Sequence, residues 1–229
     1  MYIKIFFILY LVTEKRCRAN IGFLVDKSLS LRIDGWMQTK KFIVEIAKYL
    51  NISEDETNVA VTSFDNFAEL EIKFSENKDL SSFRKAVYAM DDELGYTNTI
   101  EGFVIAFNVM FNERFGMRIG VPNTMIFMTD GGCGCGIGCY PPSQGINCSE
   151  EAFQYWKNMY RNIADPPIKL IGIGVGDNAN QTQIEDFVGE ENYYGSDFAE
   201  IVKPEFIRSL SICDGMYSYL VLILIRVQM

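Results

Sequence analysis

Strand-length apolar runs alternate along this chain with amphipathic stretches of helical period, and that alternation restricts the fold to a mostly parallel sheet covered by helices. The runs fall at 21–25, 58–64, 124–128 and 168–175, with helical patterns over 32–50, 79–90, 99–115 and 149–164 between them. In the first helical stretch Trp36, Ile43, Ile46, Ala47 and Leu50 share one face, and Lys40, Lys41, Glu45 and Lys48 lie mostly elsewhere. Residues 68–74 alternate Leu70, Ile72 and Phe74 against Glu69, Glu71 and Lys73, and only Asp65-Asn66-Phe67 separates them from the preceding strand. That is a hairpin whose second strand is a half-exposed, antiparallel edge. The 99–115 stretch is apolar enough to be a buried helix; Pro166-Pro167 stops the 149–164 helix. A short helix at 183–187, a short strand at Tyr193-Tyr194 and a last helix over 204–212 complete the pattern. The expected class is α/β: a doubly wound, Rossmann-like, mostly parallel sheet with one antiparallel edge strand and helices on both faces.

The run Ile21-Gly22-Phe23-Leu24-Val25 ends in Asp26-Lys27-Ser28-Leu29-Ser30, so one carboxylate and two hydroxyls follow a buried strand on alternating residues. A tight turn there aims Asp26, Ser28 and Ser30 at one point, and oxygen donors of this kind suit Mg²⁺ or Mn²⁺. The same letters also describe a helix start with Ser28 or Ser30 as its cap. Two further stretches weigh on the choice. Thr97 precedes the buried helix, where its hydroxyl either caps that helix or reaches an ion, and Asp130 follows the 124–128 strand. In open α/β sheets ligands bind beyond the carboxyl ends of the strands. The fold would therefore bring Asp26, Ser28, Ser30, Thr97 and Asp130 to one edge as a single cation site.

A chain of 229 residues holds one substantial domain and not two comfortable ones. Its net charge of −9 argues against nucleic-acid binding. It has no histidine, which removes Ser-His-Asp and Cys-His catalysis together with histidine-bound zinc. The six cysteines, Cys17, Cys133, Cys135, Cys139, Cys148 and Cys213, form an even set that suits disulfides in a secreted protein. Residues 1–16 read as a signal peptide: Lys4 precedes the apolar run Ile5 to Val12, too short to span a bilayer. Cleavage near Thr13 would keep all six cysteines, whereas cleavage after Ala19 would discard Cys17. Sequons at Asn51, Asn147 and Asn180 are candidate glycosylation sites.

Taken together, these residues resemble the von Willebrand factor A domain family, integrin I domains included. Asp26-x-Ser28-x-Ser30, Thr97 in Gly95-Tyr-Thr-Asn-Thr, and Asp130 in Thr129-Asp130-Gly131 match, in order, the family's metal-ion-dependent adhesion site. Val59-Ala-Val-Thr-Ser-Phe64, Pro122-Asn123 and Ile171-Gly-Ile-Gly-Val-Gly176 are similar too, and the likeness runs from about residue 19 to 215. The resemblance implies a non-enzymatic, secreted module that binds Mg²⁺ or Mn²⁺, with Ca²⁺ less suited. Its partner would be an extracellular protein presenting Asp or Glu, such as collagen or another matrix protein. It also implies a last helix, 204–212, that shifts when the site changes coordination, and a Cys17–Cys213 pair tying the termini together.

Two features depart from the family. Lys27 puts a cation beside the site, where it would weaken metal affinity unless its side chain points away between the two ligands. The segment 131–148 is a cysteine-rich insertion directly after Asp130; its four cysteines permit three disulfide pairings, or a zinc or iron–sulfur knot, and secretion favours disulfides. A rival class is a dinucleotide-binding enzyme, from Gly174-x-Gly176-x-x-Ala179 after a strand, though that motif lies late and no clear helix starts at Ala179. A third reading keeps the domain but makes its metal site vestigial. The tail 216–229 is apolar and too short to span a membrane, and reads equally as a truncated anchor, an added strand or the edge of an imperfectly defined reading frame.

Overall fold

A computed structural model describes residues 3–15, 18–76, 78–131, 167–176, 179–195, 206 and 216–228, the two terminal segments as backbone only. The strands are β1 Ile3–Lys15, β2 Ala19–Asp26, β3 Thr57–Phe64, β4 Ala68–Ile72, β5 Asn123–Thr129, β6 Ile168–Gly174, β7 Tyr193–Tyr194 and β8 Met216–Gln228. The helices are α1 Arg32–Ala47, α2 Leu80–Ala89, α3 Thr99–Ile105 and α4 Gln181–Val188. Six strands form one sheet in the order β4-β3-β2-β5-β6-β7, all parallel except β4, which pairs antiparallel with β3 at the edge. The doubly wound sheet with one antiparallel edge strand is thus the observed fold.

Strand pleating sorts the core into two layers. Ile21, Phe23 and Val25 of β2, Val59 and Val61 of β3, and Ile126 and Met128 of β5 pack with Trp36, Phe42, Ile43 and Ile46 of α1 and Phe83 and Val87 of α2. The alternate residues Leu24, Ala60, Met125 and Phe127 face Phe103, Phe107, Met110 and Phe111, with Ile184 and Phe187 of α4. Burying both faces is what makes the central strands read as unbroken apolar runs.

The buried helix expected over 99–115 is shorter than its pattern. After α3 the chain widens into a π-helical turn, Ala106–Met110, and ends at Phe111, with a separate 3₁₀ turn at Glu113–Phe115. The widened turn brings Met110 and Phe111 onto β2 where Gly22 leaves room for them. A methyl at Gly22 would lie 2.5 Å from Met110 Cε and 2.9 Å from the Phe111 ring. Gly22→Ala is accordingly expected to destabilise the fold by roughly 1–3 kcal/mol through overpacking. A drop in urea midpoint with unchanged Mg²⁺ affinity of the folded protein is the expected reading.

The terminal segments also form strands: β1 and β8 pair antiparallel along their whole lengths, Ile3 opposite Gln228 through Lys15 opposite Met216. Among the described residues no helix is long and apolar enough to cross a membrane. The expected helix at 149–164, the insertion 132–148, all six cysteines and Asn147 lie outside the described residues, as does 204–212 apart from Phe206. Phe206 is helical, buried, and set edge-on to Tyr194 with ring centroids 4.9 Å apart.

Candidate metal centre

β2 and β5 are neighbours at the middle of the sheet, and the chain leaves them toward opposite edges, β2 through α1 to β3 and β5 onward to β6. A crevice opens beyond the carboxyl ends of such a pair. Asp26 is the last residue of β2, and Asp130 directly follows β5. Register alone therefore sets the two carboxylates at the switch point.

Asp26 is fully buried. Its Oδ1 accepts from the Ser28 backbone N–H at 2.8 Å, and its Oδ2 accepts from the Thr129 hydroxyl at 2.6 Å. Burial, reinforced by the charge of Asp130, pushes the Asp26 carboxyl up to about 7, against the pull of the Ser28 and Thr129 hydrogen bonds. The serines do not serve as helix caps. Ser28 precedes the 3₁₀ turn Leu29–Leu31 with no side-chain cap bond, the residue before α1 is Leu31, and the two hydroxyls instead sit 2.8 Å apart. Nor does Thr97 cap α3, since Asn98 does so by accepting from the Glu101 N–H at 3.3 Å. The capping alternatives open in the sequence thus go to other residues.

Main-chain bonds lace the first two loops together. Ser28 and Gly95 form a parallel bridge, Leu29 N–H donates to Gly95 O at 2.8 Å, and Gly95 N–H donates to Lys27 O at 3.3 Å. Thr97 follows two residues after Gly95, just before α3. The Asp91–Gly95 segment leading to it is pinned by two buried lysines. Lys40, expected off the apolar face of α1, is nonetheless 1% exposed: its ammonium donates to Met90 O at 2.5 Å and Asp92 at 2.6 Å and lies 5.1 Å from the centre of the Trp36 ring. Trp36 Nε1–H donates to Asp91 O at 3.0 Å.

Lys27 answers the concern that it would repel an ion. Its side chain runs away from Asp26, and its ammonium donates to both Asp91 oxygens at 3.1 and 3.2 Å, with Asp65 at 3.8 Å and Glu71 at 3.9 Å. Burial lowers its proton affinity, yet those carboxylates more than offset it and hold the amine above its ordinary range. The lysine charge is spent on the β3–β4 edge.

Sequence reasoning missed two contributors. Thr129 holds the Asp26 carboxylate while accepting from the Gly131 N–H at 3.0 Å, so one hydroxyl couples the first and third loops. Asn180 N–H donates to Asp130 O at 2.7 Å, fixing the third loop to the start of α4. The adjacency of Thr129 to Asp130 was the only available signal for the first; nothing local marks the second.

What the described residues offer is two carboxylates, one buried, with hydroxyls beside them and the adjacent lysine turned aside. No group of three or more His, Cys, Asp or Glu side chains able to hold an ion occurs among the described residues. This donor chemistry fits a hard divalent ion. In the stretch read as a dinucleotide motif, a methyl at Gly174 would meet Ala179 Cβ and Tyr193 Oη, each at 2.9 Å, whereas the space at Gly176 is open.

Fold and site together define a doubly wound α/β domain with an acidic, hydroxyl-lined centre at its switch point. The family model of the von Willebrand factor type A domain matches residues 20–205, and the chain belongs to that family. It is 30% identical to mouse Matrilin-2 over 119 residues, covering 50% of this chain and 12% of Matrilin-2. It is 25% identical to chicken Matrilin-1 over 186 residues, covering 80% of this chain and 34% of Matrilin-1. The chain thus spans about a third or less of the matrilins it matches. Proximal thread matrix protein 1 from the mussel byssus superposes over 92% of this chain and 49% of its own, with TM-score 0.67 and 17% identity. A further structure of that mussel protein has a zinc-occupied metal-ion-dependent adhesion site.

Proposed function

We propose that this domain is an extracellular, divalent-cation-dependent adhesion module. Asp26, Ser28, Ser30, Thr97 and Asp130 would hold the ion, Mg²⁺ or Mn²⁺ in preference to Ca²⁺, and an acidic residue of a matrix or cell-surface protein such as collagen would complete its shell. The observation that carries this reading is the buried Asp26 carboxyl, paired with Asp130 and with two uncapping serines, at the sheet's switch point. Hydroxyl ligands bring no charge, so a bound cation stays under-neutralised and favours a carboxylate from outside. Thr129 donates to Asp26, the Ser28–Gly95 bridge ties the first loop to the segment that leads to Thr97, and Asn180 N–H donates to Asp130 O, which supports that reading. The relatives' place among matrix proteins supports the extracellular setting and a non-enzymatic role. Secretion is part of the reading, with residues 1–16 as its leader; cleavage there would remove the partner strand of β8.

Isothermal titration with Mg²⁺ tests the reading. Wild-type protein is expected to bind in the millimolar range or tighter, and Asp130→Ala to reduce affinity at least tenfold. Metal binding that Asp130→Ala leaves intact, or none at all at millimolar Mg²⁺, would turn the centre into a relic. Where metal binds, capture on immobilised fibrillar collagen in Mg²⁺ and in EDTA examines the partner.

A further inference from the structure

We infer that Asn180 is an N-glycosylation site whose glycan stands at the rim of the metal centre; its consequence for ligand access rests on the metal reading above. Asn180-Gln181-Thr182 is a complete sequon, and both Asn180 and Thr182 are exposed. Asn180 is the N-cap of α4, and only its carbonyl oxygen is committed: Oδ1 accepts from the Gln183 N–H at 3.2 Å. Among the described residues its Nδ2 has no hydrogen-bond partner. Glycosylation uses that nitrogen. The amide displaces the pyrophosphate of a lipid-linked oligosaccharide from the sugar C1: an N–C bond forms, the C–O bond breaks with its electrons leaving on the phosphate, and the amide gives up one proton. Oδ1 is untouched, so the cap survives modification.

Position gives the glycan its meaning. The Asn180 N–H is bonded to Asp130 O at 2.7 Å, and a methyl at Gly131 would lie 2.8 Å from Asn180 Cβ. An oligosaccharide rooted there leaves the domain beside Asp130, on the edge where β2 and β5 end. Asn51 is the contrasting case. Its carbonyl accepts from Thr57 N–H at the start of β3, so it sits at the opposite end of the parallel strands, and its Nδ2 already donates to Glu56. A glycan at Asn180 would admit a partner carboxylate borne on a narrow protrusion and exclude a broad, flat one; a glycan at Asn51 would do neither.

The test is the full chain secreted from cultured eukaryotic cells under its own N-terminus. Intact mass should fall by one oligosaccharide in Thr182→Ala, which deletes the sequon and keeps the cap. Titration of Mn²⁺ into protein with ¹³C-labelled glycans should broaden the Asn180 glycan's signals, absent from Thr182→Ala, and EDTA should restore them. An unmodified Asn180 in the secreted protein overturns the proposal, as does a glycan left sharp by Mn²⁺ that calorimetry shows to be bound. Calorimetry without Mn²⁺ binding sinks the metal reading instead, and the mass of Thr182→Ala still decides the modification.

Discussion

In EDTA the protein should lose stability as pH rises from about 4 to about 8, and Mg²⁺ should reverse the loss only toward the upper end of that range. Burial and Asp130 raise the Asp26 carboxyl from 3.8 to about 7 in the folded, metal-free chain. Between those values the folded state keeps a proton that the unfolded state has released, so stability falls with rising pH. The contribution is complete below the unfolded value and gone above about 7. At about 1.4 kcal/mol per unit the span is roughly 4 kcal/mol, on the order of 10 °C in Tm for a domain of this size. A cation requires the ionised carboxylate, so its stabilising effect grows through the same window. Glu71, also raised by burial, acts in the same sense, and Asp91 and Glu76, both lowered, act oppositely. Asp26→Asn isolates the contribution: its Tm profile in EDTA should be flatter and indifferent to Mg²⁺. A wild-type profile matching that of Asp26→Asn would show that Asp26 does not govern the site.

Lys27→Met should weaken Mg²⁺ binding, the opposite of what removing a cation beside a metal site would do by simple repulsion. The lysine side chain is 8% exposed, and it faces Asp65 at 18%, Glu71 at 11% and Asp91 at 53%. Its removal leaves the poorly solvated Asp65 and Glu71 without this counter-charge and Asp91 with only the more distant Lys40. Breaking a fully buried pair costs about 3–5 kcal/mol, and solvent at Asp91 lowers the expectation here to roughly 2–3 kcal/mol. The Asp91–Gly95 segment would then loosen, and Thr97 with it. Urea unfolding and calorimetry read the two effects separately. Adding Glu71→Gln should recover part of the stability, because it deletes one of the stranded charges. Tighter Mg²⁺ binding by Lys27→Met would mean that the lysine acts on the ion directly.

Much of this was legible before any coordinates. The central strands bury both faces and so appear as unbroken apolar runs, while β4, at the sheet's edge, alternates Glu69 and Glu71 with Leu70 and Ile72. The carboxylates were legible because each directly ends a strand. Lys40 and the 99–115 helix were misread for a shared reason. Periodicity shows which residues could be buried and says nothing of what meets them: Lys40 is drawn inward by Met90 and Asp92, and α3 widens at Ala106 so that Met110 and Phe111 can fill the space over Gly22.

By itself the sequence determined the layered α/β architecture, the order of the three loops and the oxygen chemistry they carry, because hydrophobic period and side-chain type are local properties. Tertiary structure alone decided where Lys27 spends its charge, that Thr129 and Asn180 hold the two aspartates, and that Ser28, Ser30 and Thr97 are not caps. Those outcomes depend on strand register and on contacts between residues distant in the chain, and no local pattern encodes a register.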